Sequence, residues 1–144
     1  MKKALLLGGL ILFMFSCKTK TYSYDENPGA KIVFGEGGGF AGTVTKYSIF
    51  DNGQVFVQEG FDASTANETT SLKKKEAKKL LKELKKLNFT KIKYNKPGNV
   101  YQFIGLQLKD SMHKVQWPLN DKNINAAVPA LYKKLTSLVK QSND

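Results

Sequence analysis

The chain predicts an α+β fold: an antiparallel sheet of about five strands with two helices packed on one face, in the order β-β-β-α-β-β-α. Three observations predict it. Alternating segments flank Asp51-Asn52-Gly53, whose Asn-Gly supplies the positive φ angles of a tight hairpin turn. Leucines recur at helical spacing between Leu72 and Leu87. A second pair of alternating segments, Asn99 to Lys109 and Met112 to Pro118, precedes a closing apolar stripe.

Each element has its own warrant. Ile32 and Phe34 alternate with Val33 and Gly35 as a short first strand, interrupted by Gly37, Gly38 and Gly39. Thr43 to Phe50 is the second strand, with Val44, Lys46, Ser48 and Phe50 opposite Thr45, Tyr47 and Ile49. Gln54 to Phe61 is the third, with Val55, Val57 and Glu59 opposite Phe56 and Gln58, and residues 62–70 read as a polar loop. Ser71 is the expected N-cap of the first helix, whose Ala77, Leu80, Leu81, Leu84 and Leu87 share a face. Three lysines in its first turn oppose the helix dipole at a few tenths of a kcal/mol each. Four buried leucines at about 1.5–3 kcal/mol apiece outweigh that cost, so the face must dock on the sheet. Asn95-Lys96-Pro97-Gly98 is a turn. In the strands that follow, Val100, Ile104, Leu106 and Leu108 lie opposite Tyr101, Phe103 and Gln107, and His113, Val115 and Trp117 lie opposite Lys114 and Gln116. The last helix runs over 126–140 with Val128, Leu131, Leu135 and Leu138 as its stripe and Pro129 in its first turn, where a missing N–H does little harm.

The N-terminus carries a different signal. Lys2 and Lys3, the apolar run Ala4 to Phe15, then Ser16 and Cys17 form a secretory signal, too short for a comfortable span of about 20 apolar residues. A cysteine directly after Ser16 makes it resemble bacterial lipoprotein signals, although Met14 stands where that pattern prefers Leu. The resemblance implies that the Cys17 thiol takes a lipid, that residues 1–16 are removed, and that the partner of residue 17 is a lipid bilayer. Residues 17–30 then read as a lipidated flexible tether and 31–141 as the single domain. Tyr22 and Tyr24 either rest at the lipid interface or pack on the domain. Outer membrane facing the periplasm is the expected location, because neither an Asp-based retention signal nor an acidic run follows Cys17.

Composition excludes several classes. Cys17 is the one cysteine, so no intramolecular disulfide forms, and burial must supply stability. All 23 of the Lys and Arg residues are lysine. Bidentate readers of phosphate use arginine, so no nucleic-acid partner is expected. One histidine, His113, and no His or Cys pair at metal spacing leave the catalytic inventory thin. The expectation is a non-enzyme with no metal and no cofactor, His113 being an ordinary strand residue. The lysine-rich helix reads as a solvated outer face.

The glycine cluster around Phe40 is the most unusual internal feature. It lacks the Gly-Lys-Ser/Thr and the following helix of a phosphate loop. Two readings stay open: a loop that lets another chain approach closely, or a hairpin loop with Phe40 folded onto the core.

Gly38-Gly39-Phe40-Ala41-Gly42, then a strand, a hairpin, a leucine-spaced helix and Asn99-Val100-Tyr101-Gln102-Phe103, resembles emfourin, a family of small protein inhibitors of thermolysin-type metalloproteases. The likeness covers about 31–140. Asn99 stands where that family has an acid; Tyr101 and Phe103 stand for its two aromatics. The triple glycine and Pro97-Gly98-Asn99 also resemble small lipoproteins of Bacteroidota-type bacteria. The emfourin likeness implies a protein partner, a metalloprotease, met by Gly37, Gly38, Gly39, Phe40, Ala41, Gly42, Asn99 and Tyr101. The expected function is therefore a membrane-anchored, non-catalytic binding module. The alternatives are a structural or assembly lipoprotein with a basic contact face, and a small-molecule carrier with Tyr101, Phe103 and Trp117 lining a pocket under the helices.

Overall fold

The computed structural model of the chain describes residues 20–141. Six antiparallel strands, β1 (Ala30–Gly38), β2 (Thr43–Phe50), β3 (Gln54–Glu59), β4 (Asn67–Ser71), β5 (Val100–Leu108) and β6 (Ser111–Pro118), form one sheet in the order β4-β3-β2-β1-β5-β6. Helix α1 (Lys74–Lys86) follows β4, and α2 (Ala127–Gln141) closes the chain. The α+β architecture is thus the expected one, with one strand more and the order β-β-β-β-α-β-β-α.

Register divides the sheet into two faces. Ile32 pairs with Ile49 and Leu106, Phe34 with Tyr47 and Ile104, and Val115 continues the Ile104 row. These side chains meet Ala77, Leu80 and Leu84 of α1 and Val128, Leu131, Tyr132, Leu135 and Val139 of α2 in one buried cluster. Both helices therefore cover the same face. The Trp117 and Tyr132 rings meet edge-on at 5.7 Å, and Lys134 on α2 pairs with Glu83 on α1 at 2.7 Å. Pro129 does lie in the first turn of α2.

Four expectations change. Residues 67–71 are a strand, not loop: β4 pairs with β3 through Gln54↔Ser71 and Val57↔Asn67, across a register shift at Val55/Phe56. Its side chains carry no apolar alternation because it is a short edge strand, where polar residues discourage further pairing. Ser71 is consequently not the N-cap of α1. Lys73 holds that position, and Glu76 reaches back to accept from the Lys73 N–H at 3.1 Å. At the other end Asn88 turns left-handed at φ 50° and stops the helix.

The second half of the segment read as a flexible tether packs on the sheet. The Tyr22 N–H donates to Gln54 Oε1 at 2.7 Å, Tyr24 Oη to Gln58 Oε1 at 2.5 Å, and Asn27 Nδ2 to the Lys109 carbonyl at 2.7 Å. The two tyrosines lie against Phe50 and Phe56 on the face away from the helices. Residues 17–19, like the signal 1–16, lie outside the described residues. Tyr101 and Phe103 are also on that helix-free face, whereas Trp117 is under the helices, so the three cannot line one pocket beneath them.

Candidate functional site

The glycine cluster forms the β1–β2 hairpin and its tip. Gly37 and Gly38 are the last residues of β1; Gly39, Phe40, Ala41 and Gly42 make the turn, closed by the Gly42 N–H donating to the Gly39 carbonyl at 3.1 Å. The Gly39 N–H donates to the Asn99 carbonyl at 2.7 Å, and Gly37 is in register with Tyr101. All eight candidate contact residues therefore gather at one end of the sheet.

One of these glycines is sterically required, and a second sits in tight side-chain contact. A Cβ on Gly38, already at φ 99°, would lie 2.0 Å from the Asn99 carbonyl oxygen. A Cβ on Gly37 would lie 2.8 Å from Tyr101 Oη, because the Tyr101 ring lies across that backbone. The hairpin is thus braced from the β5 side while its tip stays bare. Phe40 is 110 % exposed, which overturns the reading in which it folds onto the core.

Phe40 is not alone. Gly60 N–H donates to the Val44 carbonyl and Leu119 N–H to the Val100 carbonyl, bringing the β3–β4 connection and the end of β6 to the same edge. Phe61, Val100 and Leu119 are exposed there. A lone aromatic after Gly60, just ahead of a polar stretch, was the available signal for Phe61; Val100 and Leu119 join only through strand register.

The helix-free face carries a second feature. Lys46, Gly35, Phe103 and Gln116 form one cross-strand row, and Ser48, Val33, Gly105 and Lys114 the next. Gly105, in the second row, helps leave a hollow of about 380 Å³ ringed by Lys31, Lys46 and Lys114, with Tyr24, Tyr101, Phe103 and Met112 among its walls. Burial, and then the charge of Lys46, hold the Lys31 and Lys114 ammonium groups below the ordinary lysine range, and Asp25 partly offsets this for Lys31.

His113 is half-buried on the helix side. Its Nε2 lies 3.0 Å from the Ile92 carbonyl, and its ring meets Phe89 edge-on at 5.5 Å. Among the described residues no three His, Cys, Asp or Glu side chains are grouped to hold a metal. No described helix is long and apolar enough to cross a membrane. Cys17 lies outside the described residues. No family model and no curated protein matches the chain.

Proposed function

We propose that this chain is a membrane-anchored envelope lipoprotein that works by contact, offering the Phe40 hairpin to the cleft of a protein partner. The observation that carries the reading is a fully exposed phenylalanine on a braced glycine turn, flanked by Phe61, Val100 and Leu119. Aromatic side chains that enter a partner's pocket carry most of an interface's energy, and a tip with little other side-chain bulk can enter a narrow cleft. The emfourin likeness names a thermolysin-type metalloprotease as that partner, blocked by occupancy with no chemistry at the tip.

An anchor at Cys17 would suit this reading. The Lys20 carbonyl accepts from Asn52 Nδ2 at 2.7 Å, so the described chain begins beside the β2–β3 turn, at the end of the sheet opposite Phe40. Lipid on Cys17, three residues earlier, would place Phe40 roughly one strand length away, about 30 Å at ~3.3 Å per residue. The tip then faces away from the outer membrane into the periplasm.

The test is inhibition of thermolysin-catalysed peptide hydrolysis by the full chain. Inhibition is expected, and Phe40→Ala should weaken it by about 30-fold, as loss of a central aromatic contact does, with an unchanged thermal midpoint. Absence of inhibition by the unaltered chain removes the metalloprotease reading; a large fall in midpoint for Phe40→Ala makes Phe40 structural.

A second reading rests on α1. Lys74, Lys75, Lys78, Lys79 and Lys82 border one exposed surface, which suits a structural lipoprotein gripping an anionic envelope component. Retention on envelope fragments would then fall steeply with salt.

A further inference from the structure

We infer that the hollow on the helix-free face binds a small organic anion: one carboxylate or phosphate group on a flat apolar body. The hollow is a different surface from the Phe40 tip, sharing Tyr101 and Phe61 with it. Lys31, Lys46 and Lys114 come from three different strands, and register alone brings them round one depression. Among the described residues none of them has a carboxylate within ion-pair distance; the ion pair found there is Lys134–Glu83 on the opposite side. Three like charges around one hollow repel one another, and two of them are also partly desolvated. An acidic group placed between them would relieve both costs, because an anion favours the charged form of each ammonium.

The walls select the rest of the ligand. The Lys114 ammonium lies 4.6 Å from the Phe103 ring centre, and Lys31 and Lys46 lie 5.8 and 5.6 Å from that of Tyr24. The rings thus stand directly beside the charges and offer flat apolar surface to whatever the acidic group carries. Gly105 keeps the floor low, and Met112 supplies an adaptable side wall. The volume of about 380 Å³ suits one small molecule, within the usual range of ligand sites. Gln58 and Ser48, both buried at its edge, add polar groups.

The experiment uses two fluorescent probes of nearly one shape, anilinonaphthalene sulfonate and the uncharged phenylnaphthylamine, titrated into the full chain. The sulfonate should bind at least about tenfold more tightly, since a charge-assisted contact contributes that much or more. Lys114→Gln and Lys46→Gln should each weaken it several-fold and should leave phenylnaphthylamine unchanged. Lys133→Gln, on the far side of α2, should change neither. Equal affinity for the two probes, or a Lys133→Gln effect as large as that of Lys114→Gln, overturns the inference. A third arm offers vesicles of phosphatidylglycerol. If Lys114→Gln and Lys46→Gln abolish vesicle binding while leaving the sulfonate's affinity intact, the hollow reads a membrane surface, and the free-anion assignment is wrong.

Discussion

The two faces of the sheet are made by the same strands and serve opposite ends. On the helix-covered face Phe34, Ile104, Val115 and Trp117 are at most 2 % exposed and belong to one continuous cluster with both helices. On the other face the apolar residues fall into two small groups, Val33, Val44 and Phe103 with Tyr101 beside them, and Phe50 and Phe56 beneath Tyr22 and Tyr24. Ser48, Gln54, Gln58 and Gln116 are buried there among them, and the covering is a single stretch of chain bearing Tyr22 and Tyr24. Alternation alone decides which residue faces which way, so adjacent positions such as Val33 and Phe34 can be given to separate tasks. Stability is concentrated on one side, which leaves the other free to keep lysines and glycines that a core would not tolerate.

The largest expected effect lies on the covered face. Phe34→Ala should lose about 3–5 kcal/mol in denaturant unfolding, the cost of deleting a buried aromatic and leaving a cavity. Phe103→Ala, in the small cluster, should lose about 1–2 kcal/mol, near the centre of ordinary substitutions. Equal losses would break the contrast between the faces.

Alkaline unfolding sharpens it. Burial first, and then the Glu36 charge, push the Tyr132 hydroxyl up to about 12 from an ordinary 10.0. Between those values the unfolded chain gives up this proton and the folded chain keeps it, so stability is intact below pH 10 and falls as pH climbs towards 12. Tyr132→Phe should flatten that fall in thermal melts recorded across the window. An identical fall in the variant would assign it to other groups.

The smallest effect has the opposite sign. The fold holds Lys31 below the ordinary lysine range, so its charged form is disfavoured relative to the unfolded chain, and that cost disappears as pH rises past the folded value. Lys31→Met keeps the stem over Phe50 and removes the charge. A gain of about 0.5 kcal/mol at neutral pH is expected, typical of a partly exposed charge. A loss would mean that Lys31 is a stabilising residue and not one retained for a ligand.

Much of this was readable in the sequence. Alternation placed β2, β3, β5 and β6, and the Asn52-Gly53 turn and the leucine spacing of α1 were local signals. Gly37 to Gly42 stood out by composition, and the structure brings them to Asn99 and Tyr101. What stayed hidden is non-local. β4 is recognisable only by its pairing with β3, since Asn67 to Ser71 has no apolar period. Phe89, buried after the Asn88 turn, lies in a short 3-10 turn too brief to show periodicity. The three lysines of the hollow are 15 and 68 positions apart along the chain, and cross-strand register is what unites them. Tyr22 and Tyr24 could not be placed because their partners, Gln54 and Gln58, are more than 30 residues away.

The central claim is that recognition lies at the bare end of the sheet, away from the lysine helix and the buried core. Amide hydrogen exchange of the full chain, with and without thermolysin inactivated by metal removal, tests it directly. Protection confined to residues 37–42, 60–61, 99–101 and 119, with α1 unchanged, is the predicted result. Protection centred on residues 74–82, or none anywhere at saturating protease, would contradict it.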